Sequence, residues 1–223
     1  MLDEQQRFLH SVGLPSHFIP VNSDNRRNVG FLMAFASGSQ FTISIDDDNF
    51  CTHDEDLFAE HSVVCGSSKQ IIVSRETGYL NICRLLEFQN PGSVYPRGFP
   101  YFARHKDENW QTRSDTCDVH VNAGLWTLDP DIDAMTWPVA MPKAKAFQGE
   151  SLVLARNTWS PVNTHNTAIR NSAIPAYYFI KMGYPVMGPA IDRYGDIFSG
   201  YFVQASWLNA CGNISGTASI SVA

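Results

Sequence analysis

The chain has 223 residues, of which 44% are hydrophobic and 17% charged, enough for one substantial core and no more than a small appendage to it. A formal net charge of -6 and the lack of a dense basic cluster argue against a nucleic-acid partner. The acidic, polar start (Met1-Leu2-Asp3-Glu4-Gln5) is unlike a secretory leader, and no apolar run reaches the length of a membrane span. The expectation is therefore a soluble cytoplasmic protein with one domain over 1–223. Five cysteines (Cys51, Cys65, Cys83, Cys117, Cys211) with no Cys-x-x-Cys spacing point to reduced, partly buried thiols rather than a zinc knuckle or a disulfide framework.

In chain order, residues 3–12 read as a short helix with Phe8, Leu9 and Val12 on one side, ended by Gly13 and Pro15. Residues 17–21 read as a short strand. A helix from about Arg26 follows, with Val29, Leu32, Met33 and Ala36 at helical spacing and Gly38 as its stop. Arg26 and Arg27 at its amino end oppose the helix dipole, so either an anion or carboxylate compensates them or they are simply solvated.

The helix leads into Phe41-Thr42-Ile43-Ser44-Ile45-Asp46-Asp47-Asp48-Asn49. The alternation over 41–45 predicts a strand, and three carboxylates past its carboxyl end repel one another unless a cation sits among them. In an extended segment Asp46 and Asp48 share one side, and oxygen ligands favour magnesium, manganese or calcium over zinc. A solvated acidic turn explains the same residues equally well. An EF-hand does not, because the glycine and glutamate that its loop needs are missing both here and at Asp129-Pro130-Asp131-Ile132-Asp133.

Further on, 70–74 reads as a strand, 80–88 as a strand or short helix, and Asn90-Pro91-Gly92 as a turn. Tyr95-Pro96-Arg97-Gly98-Phe99-Pro100-Tyr101-Phe102-Ala103-Arg104 cannot be regular helix. Its aromatics beside Arg97 and Arg104 suit a wall for a sugar or phosphate, or a loop packed by its own rings. Strand character over 119–128 gives way to the acidic turn at 129–133, and 151–155 reads as a strand. Asp196 stands at the amino end of a helix over 197–208, as an N-cap or as a base toward an acceptor.

Several of these pieces, in order, resemble the reversibly glycosylated polypeptides, the UDP-arabinopyranose mutase family, and related bacterial glycosyltransferase-like proteins of the GT-A fold. The matching pieces are Ile45-Asp46-Asp47-Asp48, Tyr95 through Arg104, Gly124-Leu125-Trp126 with Asp131-Ile132-Asp133-Ala134, Asn166 through Phe179, and Arg193-Tyr194-Gly195-Asp196-Ile197-Phe198-Ser199-Gly200. The resemblance implies an α/β fold with a GT-A-like mixed sheet flanked by helices, incomplete at both ends and lacking the first βα unit.

It further implies a metal-dependent glycosyltransferase. Asp46 and Asp48 would hold Mn2+ or Mg2+ on the diphosphate of a nucleotide sugar, with Asp47 toward the ribose. Arg26, Arg27, Arg97 and Trp126 would bind substrate. Asp196 would be the base, and Arg104 matches the family arginine that carries the sugar transiently in the mutases. The family pair Asp-Asp is Gly195-Asp196 here, so one carboxylate on the acceptor side is lost. No late metal-ligating histidine can be aligned, and His120 and His165 are the stand-ins. The alternatives are a nucleotide-sugar mutase, or a non-catalytic module that binds a sugar or partner. Loss of the first strand would expose a sheet edge and favour a homo-oligomer or a partner subunit.

Overall fold

The computed structural model describes every residue except 1, 52, 54, 91, 107, 108, 186, 189, 211–218 and 223, so Pro91 of the expected turn and Cys211 lie outside it. Helix α1 (Leu2–Ser11) forms where expected and buries Leu9 against Ile19 and Val29. A 3-10 turn, Asp24–Arg26, runs into helix α2 (Arg27–Ala36). Two asparagines fix its start: Asn25 and Asn28 both donate to the Phe179 carbonyl, at 2.8 and 2.9 Å, and the Phe179 amide donates back to Asn28 at 2.9 Å. Phe31 then points into the main core, edge-on to Tyr177 with ring centroids 5.5 Å apart. Burying a ring of that size contributes about 1.5–3 kcal/mol.

Strand β1 (Phe41–Ile45) has the bounds its alternation predicts. Helix α3 (Leu57–His61) is capped by Asp56, which accepts from the Phe58 and Ala59 amides at 3.1 and 3.0 Å. Then come β2 (Ser67–Ser74), β3 (Leu86–Phe88), β4 (Gln111–Ala123), helix α4 (Trp137–Ala140), β5 (Ala144–Phe147), β6 (Leu152–Leu154) and β7 (Asn166–Arg170). A small hairpin of β8 (Tyr184–Pro185) and β9 (Ala190–Ile191) precedes helix α5 (Gly195–Ala210) and the last strand, β10 (Ser219–Val222).

The main sheet is mixed, in the order β1-β7-β4-β10-β6-β2, and β2 also pairs with β4. The pairs of β10 with β4 and of β2 with β6 are parallel, and the other pairings are antiparallel. The main core lies on one face, where Val73, Val121, Leu152 and Ile169 meet Phe31, Tyr177 and Phe179. A smaller core of Ile72, Cys117, Val119 and Ala168 packs with Val64.

Three expectations change. Residues 17–21 form turns rather than a strand. Pro15 and Pro20 bracket the segment without amide donors, the Phe18 amide turns back to the Pro15 carbonyl at 2.9 Å, and Phe18 and Val21 remain exposed with no sheet face to cover. Residues 80–88 contain both candidates, a 3-10 turn at Ile82–Leu85 and then β3. Strand β4 begins eight residues before the expected strand and ends at Ala123; just past it the Gly124 amide still bonds the Asn166 carbonyl at 2.8 Å, and a Cβ on Gly124 would lie 2.2 Å from Asn166 Nδ2. Among the described residues no helix is long and apolar enough to cross a membrane.

Candidate functional site

The site is built from chain crossings. The antiparallel register of β1 and β7 sets Asp46, just past β1, opposite His165, just before β7, and the Asp46 amide donates to the His165 carbonyl at 3.0 Å. His165 Nε2 lies 3.2 Å from Asp46 Oδ2 and 3.8 Å from Asp131 Oδ2. Arg27, in the first turn of α2, reaches both Asp46 Oδ1 and the Thr164 hydroxyl. The helix-opening arginine thus finds its compensating carboxylate on the next strand.

A second crossing brings in the aromatic loop. Residues 95–97 run antiparallel to 131–133: the Arg97 amide donates to the Asp131 carbonyl and the Asp133 amide to the Tyr95 carbonyl, each at 3.1 Å. This short ladder aligns Arg97 with Asp131, and Nε contacts both carboxylate oxygens at 2.8 and 3.0 Å. The other arm of the guanidinium fork takes Asp196 at the start of α5, Nη1 to Oδ1 at 3.1 Å and Nη2 to Oδ2 at 2.5 Å. Gly98 makes that approach possible. Its φ of +84° is left-handed, and a Cβ would fall 2.4 Å from Ile197 Cγ2 on α5.

Burial opposes the charge on Arg97, but the hydrogen bonds to Asp196 and Asp131 outweigh it and raise its pKa, so the guanidinium stays charged. Asn163 completes the frame: its Nδ2 donates to Asp131 Oδ2 at 2.8 Å, and its Oδ1 accepts from the His165 amide at 3.2 Å. Tyr177 donates to the Asn163 carbonyl at 3.2 Å. Burial first, and the Asp196 charge second, raise its pKa and keep it a neutral phenol.

Three carboxylates (Asp46, Asp131, Asp196) face two guanidinium groups (Arg27, Arg97), which leaves one net negative charge while His165 is neutral. The Asp131, His165 and Asp196 ligand atoms lie within 4.8 Å of one another, close enough for a divalent ion. The fit is partial, because Arg97 already bridges two of the three. An oxygen-and-imidazole set suits manganese better than magnesium.

Behind the site is a buried histidine, His61. His61 bonds Asn166 Oδ1 at 2.8 Å and faces Asn122 Nδ2 at 3.0 Å. Desolvation lowers its pKa, with the Asn166 hydrogen bond and the Glu60 charge working the other way.

The expected site residues thus divide. Asp46, Arg27, Arg97 and Asp196 meet in one cluster. Arg26 turns away to Gln5 Oε1 at 3.1 Å. Asp47 and Asp48 occupy a turn closed by the Asn49 amide on the Asp46 carbonyl at 3.2 Å, and both are exposed. The extended geometry expected for Asp46 and Asp48 is therefore replaced by a bend. Trp126 packs in the main core.

Arg104 sits one step along the short ladder, 3.5 Å from Asp133, with its guanidinium carbon 4.0 Å from the Tyr101 ring centroid and 4.9 Å from that of Tyr95. Asp131 and Asn163 joined the site without an assigned role. Asp131 was visible in its Asp-Ile-Asp motif, whereas nothing in the sequence marked Asn163. No protein-family model matches the sequence, and no curated protein matches it.

Proposed function

We propose that this chain binds a nucleotide diphosphate sugar together with a divalent ion and transfers the sugar to an acceptor. The observation that carries the reading is convergence. The segments at 45–48, 95–104, 131–134 and 193–200 are far apart in sequence, yet one charged side chain from each (Asp46, Arg97, Asp131 and Asp196) meets the others around His165. A stability role alone does not call for three carboxylates, two arginines and a histidine at one end of a strand pair, since ion pairs of this kind seldom outperform apolar packing.

In this reading Asp46 and Asp131 would hold the ion, with His165 Nε2 at 3.2 and 3.8 Å from their carboxylates as a further donor. The ion, when bound, stabilises the charge that grows on the departing diphosphate. Arg27 orients Asp46 from the side of α2. Asp196 takes the proton of the acceptor hydroxyl, and Arg97 fixes the direction of its carboxylate. Arg104 favours transfer over the mutase alternative. A mutase needs that arginine at the anomeric carbon, and here its side chain is 11% exposed, clasped by Tyr95, Tyr101 and Asp133.

The test is a panel of UDP- and GDP-sugars with manganese, following release of the nucleoside diphosphate. Release that Asp196→Asn slows by about 10²–10⁴ while nucleotide binding persists supports the reading. A folded chain that releases nothing from any donor, or an Asp196→Asn variant as fast as the parent, removes it.

A further inference from the structure

Arg104 is a nearly buried cation whose N–H groups find little to bond. Its side chain is 11% exposed, yet Nε is buried without a hydrogen-bond partner, and neither Nη makes a hydrogen bond among the described residues. Arg97 is the contrast, with its fork spent on Asp131 and Asp196. The carboxylate beside Arg104, Asp133, lies 3.5 Å from Nη2, and its oxygens are committed elsewhere. Oδ1 accepts from the Met135 amide at 3.1 Å and Oδ2 from the Thr136 hydroxyl at 2.5 Å, closing the turn that precedes α4. The Tyr101 and Tyr95 rings take the guanidinium carbon. They attract its charge but leave the planar donors of the fork unspent.

Of those two walls, one is fixed and the other is free to turn. Tyr95 is buried, lies tilted against Phe99 with ring centroids 5.2 Å apart, and accepts from the His105 amide at 3.0 Å through its hydroxyl. Tyr101 is 68% exposed, so rotation about its own side-chain bonds bares the guanidinium.

We propose that Arg104 binds an oxyanion, the carboxylate or phosphate group of an acidic sugar, beside the Arg97 cluster. A guanidinium fork with its donors unspent matches the paired oxygens of either group, whereas an uncharged apolar ligand would leave those donors unpaired. The short ladder sets the spacing. Tyr95 and Arg97 on one side, and Asp133 and Asp131 on the other, are alternate residues of one face, so the Arg104 position stands about 7 Å along from the Arg97–Asp131 pair. One sugar ring with an acidic group at one end and a hydroxyl at the other spans that step. Exposed aromatic surface for the ring is at hand in Tyr101 and in Phe102, which is held edge-on by Tyr79 at 5.6 Å. That this ligand is the acceptor, with its hydroxyl toward Asp196, rests on the function proposed above.

The experiment reads the arginine Nε–H signals of the isotope-labelled full chain by proton–nitrogen NMR, the Arg104 signal being assigned by its loss in Arg104→Gln. The titrants are glucuronate, glucose 6-phosphate, inorganic phosphate and uncharged glucose, each up to about 50 mM at constant ionic strength. A saturating shift of the Arg104 signal with glucuronate or the sugar phosphate is expected, at a concentration at least roughly tenfold below any response to glucose. The same ligand is expected to raise the Tm of the parent, and this rise is expected to disappear in Arg104→Gln and to shrink in Arg104→Lys, which keeps the charge without the fork.

Which acid shifts the signal tells carboxylate from phosphate. An Arg104 signal indifferent to both acidic sugars, glucose as effective as either, inorganic phosphate as effective as the sugar phosphate with no response to glucuronate, or a Tm rise that survives in Arg104→Gln would each overturn the proposal. Because binding is read without turnover, the two readings separate. A response at Arg104 in a chain that releases nucleotide from no donor upholds the anion site and removes the transferase; release of nucleotide without that response does the reverse.

Discussion

Arg97 is the side chain whose removal should be felt most. It spans Asp131 and Asp196, whose side chains are 11% and 12% exposed, and it also donates to the Arg193 carbonyl at 2.6 Å. Each charge-assisted bond is worth about 1.5–3 kcal/mol, but bonds sharing one guanidinium do not add. The better guide is the cost of removing one partner from a buried pair, about 3–5 kcal/mol.

Arg97 itself is 22% exposed, so water can reach part of the vacated space, and the lower end, about 3 kcal/mol, is the expected loss for Arg97→Met. In a chain of this size that is a drop of about 6–12 °C in Tm. Arg97→Lys should lose an intermediate amount, because one ammonium cannot serve two carboxylates with a planar fork. The assay is urea unfolding followed by circular dichroism, with the m-value compared across variants. A loss under about 1 kcal/mol for Arg97→Met would mean that the two carboxylates are solvated, and the account of a shared buried cation would fail.

Other outcomes follow from the same structure. Gly98→Ala should cost about 1–3 kcal/mol, since a left-handed φ and a contact 2.4 Å from Ile197 Cγ2 must both be relieved; thermal melts equal to the parent would refute the close approach. Gly124→Ala should displace Asn166 and break its bond to His61, with a loss of similar size read from the same melts. His61 and His120 both have pKa values lowered from 6.5, chiefly by burial, so the unfolded chain binds protons more readily than the folded one. Stability should therefore be level above about pH 6.5 and fall as the pH drops below it, and His61→Gln should flatten part of that fall. Melts that strengthen toward pH 5 would contradict the sign.

The sequence made some of this legible for identifiable reasons. The bounds of β1 were readable because Phe41, Ile43 and Ile45 alternate with two hydroxyl residues, and α2 was readable from the spacing of Val29, Leu32 and Met33. The first half of β4 was not. Its residues Thr112, Arg113, Ser114 and Asp115 are exposed and show no apolar period, and they are strand only because β2 lies alongside. In the site, Asp46 and Asp196 could be singled out from position alone, at a strand end and a helix start. Their bridging partners could not, because the contacts of Arg97 with Asp131 and of His165 with Asp46 link residues 34 and 119 positions apart. Trp126, chosen by resemblance, lies in the main core.

The most direct test of the central claim is calorimetric titration of the chain with UDP and GDP, with and without manganese, on the parent and on Asp46→Asn, which keeps an oxygen toward Arg27. Manganese-dependent binding of one nucleotide, lost in Asp46→Asn, is the expected result. No heat from either nucleotide, or binding that ignores both the metal and Asp46, would contradict the reading of this cluster as a nucleotide-sugar site.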